Sequence, residues 1–269
     1  MNATEALRSL HERRPLVHHL TNYVTVNLVA NVTLCTGALP VMAQSIEEVE
    51  EMASAASALV INLGTLDPDF VDAALAAGRE ANRRGAPVVL DPVGAGATTL
   101  RTRSARRVLS ELSVAAICGN AGEVATLAGL SAEVRGVESV SLQNGDAREA
   151  TAEAARALGT TVIATGPTDY ISGSGRTLLV ENGNPLMGRV VGTGCASTAV
   201  VGCFAAVSGD TGGLDPETAA AALAYFGRAG ELASERADGP GTLEPRLLDA
   251  LAAFSESPGE LDGLRVREA

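Results

Sequence analysis

Short apolar runs rich in Val and Ile alternate along the chain with longer segments whose apolar residues recur at helical spacing, the pattern of a mostly parallel sheet with crossover helices. Ala58 to Leu63 (ALVINL), Pro87 to Asp91 (PVVLD), Val114 to Cys118 (VAAIC) and Thr160 to Thr165 (TTVIAT) read as strands. Between them, Asp67 to Arg84 opens on an acidic, proline-bearing first turn and stops at Gly85, as a capped helix does. Thr102 to Leu112 and Asn120 to Ala128 are the next two predicted helices. Asp169 to Ser172 and Arg176 to Glu181 flank Gly173-Ser174-Gly175, which is hairpin chemistry and breaks the alternation. From Gly194 onward the spacing predicts three helices, to Ser208, from Pro216 to Arg236 and from Thr242 to Phe254. Glu133 to Glu149 and the tail after Ser255 are polar and Gly-bearing, so both are expected as mobile surface pieces. No repeat or linker interrupts the pattern, and residues 1–269 are expected to form a single domain.

Two stretches lack formal charge, Leu16 to Ile46 and Val190 to Gly209, and the second approaches the ~20 residues of a membrane span. The first is interrupted by His18, His19, Asn22, Asn27, Asn31 and Pro40, and the second opens on Gly192, Thr193 and Gly194. Burial inside a folded domain accounts for both better than a bilayer does.

Charge narrows the chemistry. All 20 basic residues are Arg, so a Schiff-base lysine and a Walker A lysine are absent. A net charge of −12 disfavours nucleic acid and anionic membranes as partners. An aromatic content of 3% with no Trp leaves no stacking platform for single strands. Cys35, Cys118, Cys195 and Cys203 form no CxxC pair, and no basic, apolar and cleavable leader is seen at the N-terminus, so a reduced, cytoplasmic protein is expected.

In an open α/β sheet, ligands gather beyond the carboxyl ends of the strands. Four of those ends run into glycines: Gly64 after Leu63, Gly94 and Gly96 after Asp91, Gly119 after Cys118 and Gly166 after Thr165. The densest signal is Val190-Val191-Gly192-Thr193-Gly194-Cys195-Ala196-Ser197, a Gly-rich turn feeding a neutral helix. Such a helix start offers unpaired N–H groups and a partial positive charge, which binds anions. Cys195 falls in its first turn, where the amide field is expected to lower the thiol pKa and allow the thiolate to act as base or nucleophile. Asp91 and Glu123 lie at neighbouring strand ends and can share a hydrated Mg²⁺. His18 and His19 are adjacent, so on an extended chain they point to opposite sides and do not bind a metal together.

Together these motifs resemble the hydroxyethylthiazole kinases of thiamine salvage, within the ribokinase-like superfamily. The resemblance rests on HLTNYVTVNLVAN (His19 to Asn31), PVMA (Pro40 to Ala43), LVINLGTL (Leu59 to Leu66), LDPVGAGAT (Leu90 to Thr98), GNAGE (Gly119 to Glu123), IATG (Ile163 to Gly166) and VGTGCASTAVVG (Val191 to Gly202). It implies a three-layer ribokinase-like α/β fold and transfer of the ATP γ-phosphoryl group to the primary alcohol of 4-methyl-5-(2-hydroxyethyl)thiazole. Gly192, Thr193, Gly194 and Cys195 would form the anion hole, with Cys195 in place of the Asp base of sugar-kinase relatives. Met42, Asn22 and Gly192 would meet the thiazole, Thr165, Cys118 and Asn120 the nucleotide, and Asp91 and Glu123 the Mg²⁺. The implied assembly is a homotrimer with pockets between subunits, the segment from His19 to Asn31 facing a neighbour.

One position departs from the family. Arg or Lys commonly precedes GN and helps hold the phosphates, whereas this chain has Cys118, with Arg101 and Arg103 as candidates for the missing charge. Three other readings compete. A related kinase of another small alcohol would differ in the pocket from Asn22 to Met42, a nucleotide-binding sensor would explain Cys118, and a cysteine hydrolase would need a His beside Cys195.

Overall fold

Each apolar run is followed by a segment that carries the chain back to the same end of the sheet, so six strands come to lie parallel. In the computed structural model, which describes residues 1–130, 134–135, 138–139, 144–209 and 213–269, the order begins with α1 (Ala3–Arg13), β1 (Leu16–Leu20), α2 (Val26–Cys35) and β2 (Leu39–Val41). It continues through α3 (Val49–Ala55), β3 (Ala58–Asn62), α4 (Pro68–Arg84), β4 (Val88–Asp91), α5 (Thr99–Glu111), β5 (Ala116–Asn120) and α6 (Ala121–Leu127). A two-strand ladder follows, β6 (Val134–Arg135) with β7 (Glu138–Ser139), then α7 (Asn144–Leu158), β8 (Thr161–Thr165), β9 (Asp169–Gly173) and β10 (Arg176–Val180). The chain ends with α8 (Thr193–Ser208), α9 (Pro216–Arg236), α10 (Pro240–Glu256) and β11 (Val266–Glu268).

The main sheet has nine strands in the order β11-β10-β9-β8-β5-β4-β3-β1-β2. The stretch from β8 to β2 is parallel, and β9, β10 and β11 are antiparallel additions. Two cores follow from the strand period of two. On β3, Ala58 and Val60 face the layer of α1, α2, α8, α9 and α10, while Leu59 and Ile61 face the layer of α3 to α7. The chain leaves β1 toward β2 and then crosses back to β3, so the strand order reverses between β1 and β3. That reversal opens a crevice at their carboxyl ends.

The four predicted strands and the hairpin are present, and α9 has the predicted limits. Two expectations need correction. The tail after Ser255 is no loose surface piece, because β11 pairs with β10 from Val180↔Val266 to Leu178↔Glu268. Of the segment from Glu133 to Glu149, the last six residues begin α7 and four more form β6 and β7, while residues 133, 136–137 and 140–143 lie outside the described residues. No helix among the described residues is long and apolar enough to cross a membrane. The uncharged stretch at Val190 instead contains α8, which is buried against both β3 and α9.

Candidate functional site

Strands β3, β4, β5 and β8 are neighbours and end at Asn62, Asp91, Asn120 and Thr165. The start of α8 meets this edge. Gly192 is its N-cap at φ 96, a left-handed conformation open to glycine, and a Cβ there would lie 2.6 Å from Thr25 Cγ2. The Thr193 hydroxyl donates to Met187 O at 3.1 Å and so ties the preceding turn to the helix. Among the described residues no side chain caps this helix start, which leaves its first-turn amides available to a ligand.

Two adjacent cavities lie here. The smaller, of about 200 Å³, is walled by Asp91, Cys118, Asn120, Glu123, Thr165, Gly194, Cys195 and Thr198 among others. The larger, of about 520 Å³, shares Thr165 and Gly194 with it and extends past Asp169, Asn182, Thr193, Ser197, Leu223, Phe226 and Gly227. Asn22 does not wall either cavity but reaches the site by donating to Cys195 Sγ at 3.5 Å. Met42 follows β2 at the far edge of the sheet and walls neither.

A hydrogen-bonded network joins the thiol to the carboxylate. Asn62 Nδ2 donates to Asp91 Oδ2 at 2.6 Å and to Cys195 Sγ at 3.2 Å. Its Oδ1 accepts from Gly64 N at 3.0 Å and from Asn22 Nδ2 at 2.9 Å. The Gly64 amide can only donate, which fixes the orientation of the Asn62 side chain. Thr198 adds a donor to Asp91 Oδ2 at 3.3 Å. Asn62 was not among the predicted site residues; its one signal in the sequence is a lone polar residue within the otherwise apolar run ALVINL.

The carboxylates are buried and close enough to repel. Burial, then the charge of Glu123, pushes Asp91 well above the usual carboxylate range. Burial pushes Glu123 up to about 7, against the pull of the Gly94 and Asn120 amides at 2.7 and 2.8 Å. Each Glu123 oxygen accepts one amide and keeps a second acceptor site. Two hard oxygen donors that disfavour each other's charge fit a Mg²⁺ ion, which would relieve that repulsion and complete its shell with water or phosphate oxygen. Among the described residues no group of three or more His, Cys, Asp or Glu could hold a metal, so Asp91 and Glu123 form a sparse pair. Asn120 closes the capping box of α6, its side chain accepting from Glu123 N at 3.0 Å.

Three expectations change. Cys195 is not a low-pKa thiol: burial first, then the Asp91 charge, pushes it up to about 11, beyond what the donors from Asn62 and Asn22 offset. Arg101 does not serve the cavities, because its guanidinium donates to the carbonyls of Leu63, Val93 and Gly64 at 2.8 to 2.9 Å. Arg103 lines a separate cleft with Asp67 and Arg107. Cys118 is 2% exposed and burial raises its thiol well above the usual range, so it brings no charge either. Among the described residues, no Arg or His stands in the wall of either cavity. The histidines do point apart. His18 Nε2 bonds Ala43 O at 2.7 Å and His19 Nε2 meets Thr33 Oγ1 at 3.0 Å, and both are fully buried.

Residues 7–257 match the pattern of the Hydroxyethylthiazole kinase family. A hydroxyethylthiazole kinase from Rubrobacter xylanophilus is 69% identical over 270 residues, covering 100% of this chain and 99% of that protein. The solved structure of a hydroxyethylthiazole kinase protein from Pyrococcus horikoshii OT3 superposes with a TM-score of 0.86 at 43% identity, covering 99% of this chain and 98% of that one. A ribokinase-like superfamily protein from Enterococcus faecalis V583 shares the fold at 17% identity, with a TM-score of 0.61 over 93% of this chain and 94% of that one.

Proposed function

This chain belongs to the hydroxyethylthiazole kinase family, and we propose that its residues 1–269 act as one cytoplasmic kinase domain that transfers the γ-phosphoryl group of ATP to the primary alcohol of 4-methyl-5-(2-hydroxyethyl)thiazole. The observation that carries this reading is the smaller cavity, where the start of α8, the Cys195 sulfur and two carboxylates converge at the mouth of a larger cleft. The larger cleft takes the nucleoside, with Leu223 and Phe226 as apolar contacts and Thr165 and Thr193 toward the phosphates. Asn120 and the Cys118 wall border the phosphate end.

Phosphoryl transfer asks the protein mainly for positioning and charge stabilisation. Amides from Gly192 to Cys195, at the start of α8, would stabilise the charge that the transferring group develops. Asp91 and Glu123 would hold Mg²⁺, which when bound offsets the charge of the phosphates. Asn22, Met42 and Gly192 orient the thiazole so that its hydroxyl lies beside Cys195. Cys195 takes the hydroxyl proton. It does so as its thiolate, the thiol proton having first passed to solvent through the cavity, and the amides of Asn62 and Asn22, both donating to the sulfur, favour that thiolate.

The large exposed apolar residues Tyr23, Val24 and Val191, at 70%, 70% and 75% exposure, flank this site. A homotrimer in which the segment from His19 to Asn31 meets a neighbouring chain would cover them and close the thiazole pocket between subunits. Free Cys35, Cys118, Cys195 and Cys203 agree with a reducing compartment.

The test is Mg²⁺-dependent ADP release from ATP with and without hydroxyethylthiazole. Cys195→Ala is expected to keep both ligands bound, by calorimetry, while slowing turnover about 10²-fold or more. Turnover within a few-fold of the unaltered enzyme would remove Cys195 from the reaction.

A further inference from the structure

One wall of the larger cleft is formed by Asn182, Gly183 and Asn184, just beyond β10. The Asn182 side chain is taken at both ends by the chain leading into β11. Its Nδ2 donates to Gly263 O at 3.0 Å, and its Oδ1 accepts from Arg265 N at 2.7 Å. Glu231 of α9 ties this junction together. Its Oε1 accepts from Gly183 N at 2.9 Å, from Asn182 Nδ2 at 3.2 Å and from the Arg265 guanidinium, and its Oε2 accepts from Arg228 at 3.2 Å. Arg228 in turn donates to Asp262 O at 3.2 Å. One turn earlier on α9, a Cβ on Gly227 would lie 2.6 Å from Asn182 O, so helix and wall are in direct backbone contact.

A strand that merely covered the edge of β10 would need its ladder and nothing more. Here the ladder ends in a carboxylate, 13% exposed at its side chain, that gathers four donors from three separate pieces of chain beside the cleft. Charge-assisted bonds of this kind are the strong ones, and a group holding several of them fixes the pieces relative to one another.

We propose that Glu231 is a positioning residue for the nucleotide, setting the cleft wall through Asn182 and Gly183, with the C-terminal strand as the strap that presses Arg265 against it. The proposal rests on the reading that this cleft takes the nucleoside half of ATP. It assigns no contact with thiazole and no part in proton transfer.

Glu231→Ala, Glu231→Gln and Arg265→Ala test it in the full-length protein, with ADP affinity measured by calorimetry and KM measured separately for ATP and for hydroxyethylthiazole. Glu231→Ala is expected to weaken ADP binding and raise the ATP KM about tenfold, the equivalent of one lost charge-assisted hydrogen bond. The thiazole KM, and kcat at saturating ATP, are expected to stay within about twofold, because the strap touches neither. Glu231→Gln keeps an acceptor for Gly183 and recovers most of the loss, and Arg265→Ala moves the same way by a smaller factor. Unchanged ADP affinity in the three variants, or equal rises in both KM values, overturns the proposal. Should Glu231→Ala fail to fold, Arg265→Ala decides by the same criterion. An unaltered protein that binds no ADP refutes the cleft assignment itself, and this inference with it.

Discussion

Asn62→Ala removes one residue and four contacts from the centre of the site. Asn62 is 2% exposed, and the variant takes the 2.6 Å donor from Asp91, the 3.2 Å donor from Cys195 Sγ and the acceptor from both Gly64 N and Asn22. A hydrogen bond to a charged group is worth about 1.5–3 kcal/mol and a neutral one about 0.5–1.5 kcal/mol. Water entering from the adjoining cavity of about 200 Å³ replaces part of this, since a water needs only ~30 Å³ and the vacated groups are polar. The expected loss of folding stability is about 3 kcal/mol, less than the roughly 5–15 kcal/mol available to a domain, so the variant stays folded. Turnover is expected to fall further than stability explains. Cys195 loses the shorter of its two amide donors and Asn22 loses its anchor, and misplacement of a reacting group by ~1 Å costs about 10²-fold. Urea unfolding followed by circular dichroism measures the first quantity, and steady-state ADP release at saturating substrates measures the second. A stability loss below about 1 kcal/mol together with turnover within twofold would refute the role given to this network.

Two further perturbations separate other parts of the structure. Burial, with a smaller contribution from His18, holds His19 down to about 3 from its ordinary 6.5, so the unfolded chain takes up a proton below about pH 6.5 that the folded chain refuses. The stability this costs is nil above that pH, grows as pH falls toward 3, and is about 2 kcal/mol at pH 5; His19→Gln should show a drop between pH 7.5 and 5 smaller by that amount in urea unfolding, and equal drops would count against it. Arg101→Ala cuts the clamp on Leu63, Gly64 and Val93 and should cost about 2–4 kcal/mol of stability, whereas Arg103→Ala should change stability by less than about 0.5 kcal/mol and leave the ATP KM alone. Equal melting temperatures for the two variants, or a raised ATP KM in Arg103→Ala, would contradict this.

What could be read from residues alone was local. Asp91, Asn120 and Thr165 stood out because glycines follow or precede them at strand ends, and the turn before Cys195 announced itself by two glycines in three residues. Asn62 escaped because a single Asn within ALVINL carries no signal of its own, and three of its four partners come from distant segments. Arg101 was misread for the same reason: whether a guanidinium reaches phosphate or three carbonyls depends on how the loops after β3 and β4 approach each other. The Cys195 thiol shows tertiary context reversing a local rule. A helix start favours the thiolate, yet burial and the Asp91 charge outweigh it. β11 was hidden because a three-residue strand has no pattern of its own, and its pairing with β10 is made across the whole C-terminal third of the chain.

The reversed thiol makes sense once the charges around it are counted. The smaller cavity holds two carboxylates, and among the described residues no cationic side chain lines it or the larger cleft. A unit negative charge on a phosphate ~5 Å from a carboxylate would be repelled by about 3 kcal/mol at an effective dielectric constant near 20. A bare triphosphate is therefore disfavoured, and one whose charge is already partly offset is favoured. A third carboxylate in the position of Cys195 would deepen the repulsion at the point proposed for the transferring group. A thiol held near 11 is neutral at physiological pH and adds none of it. On the proposed reading the amides at the start of α8 would then meet the phosphoryl group without an opposing charge beside them, until the thiol gives its proton to solvent and the thiolate takes that of the hydroxyl.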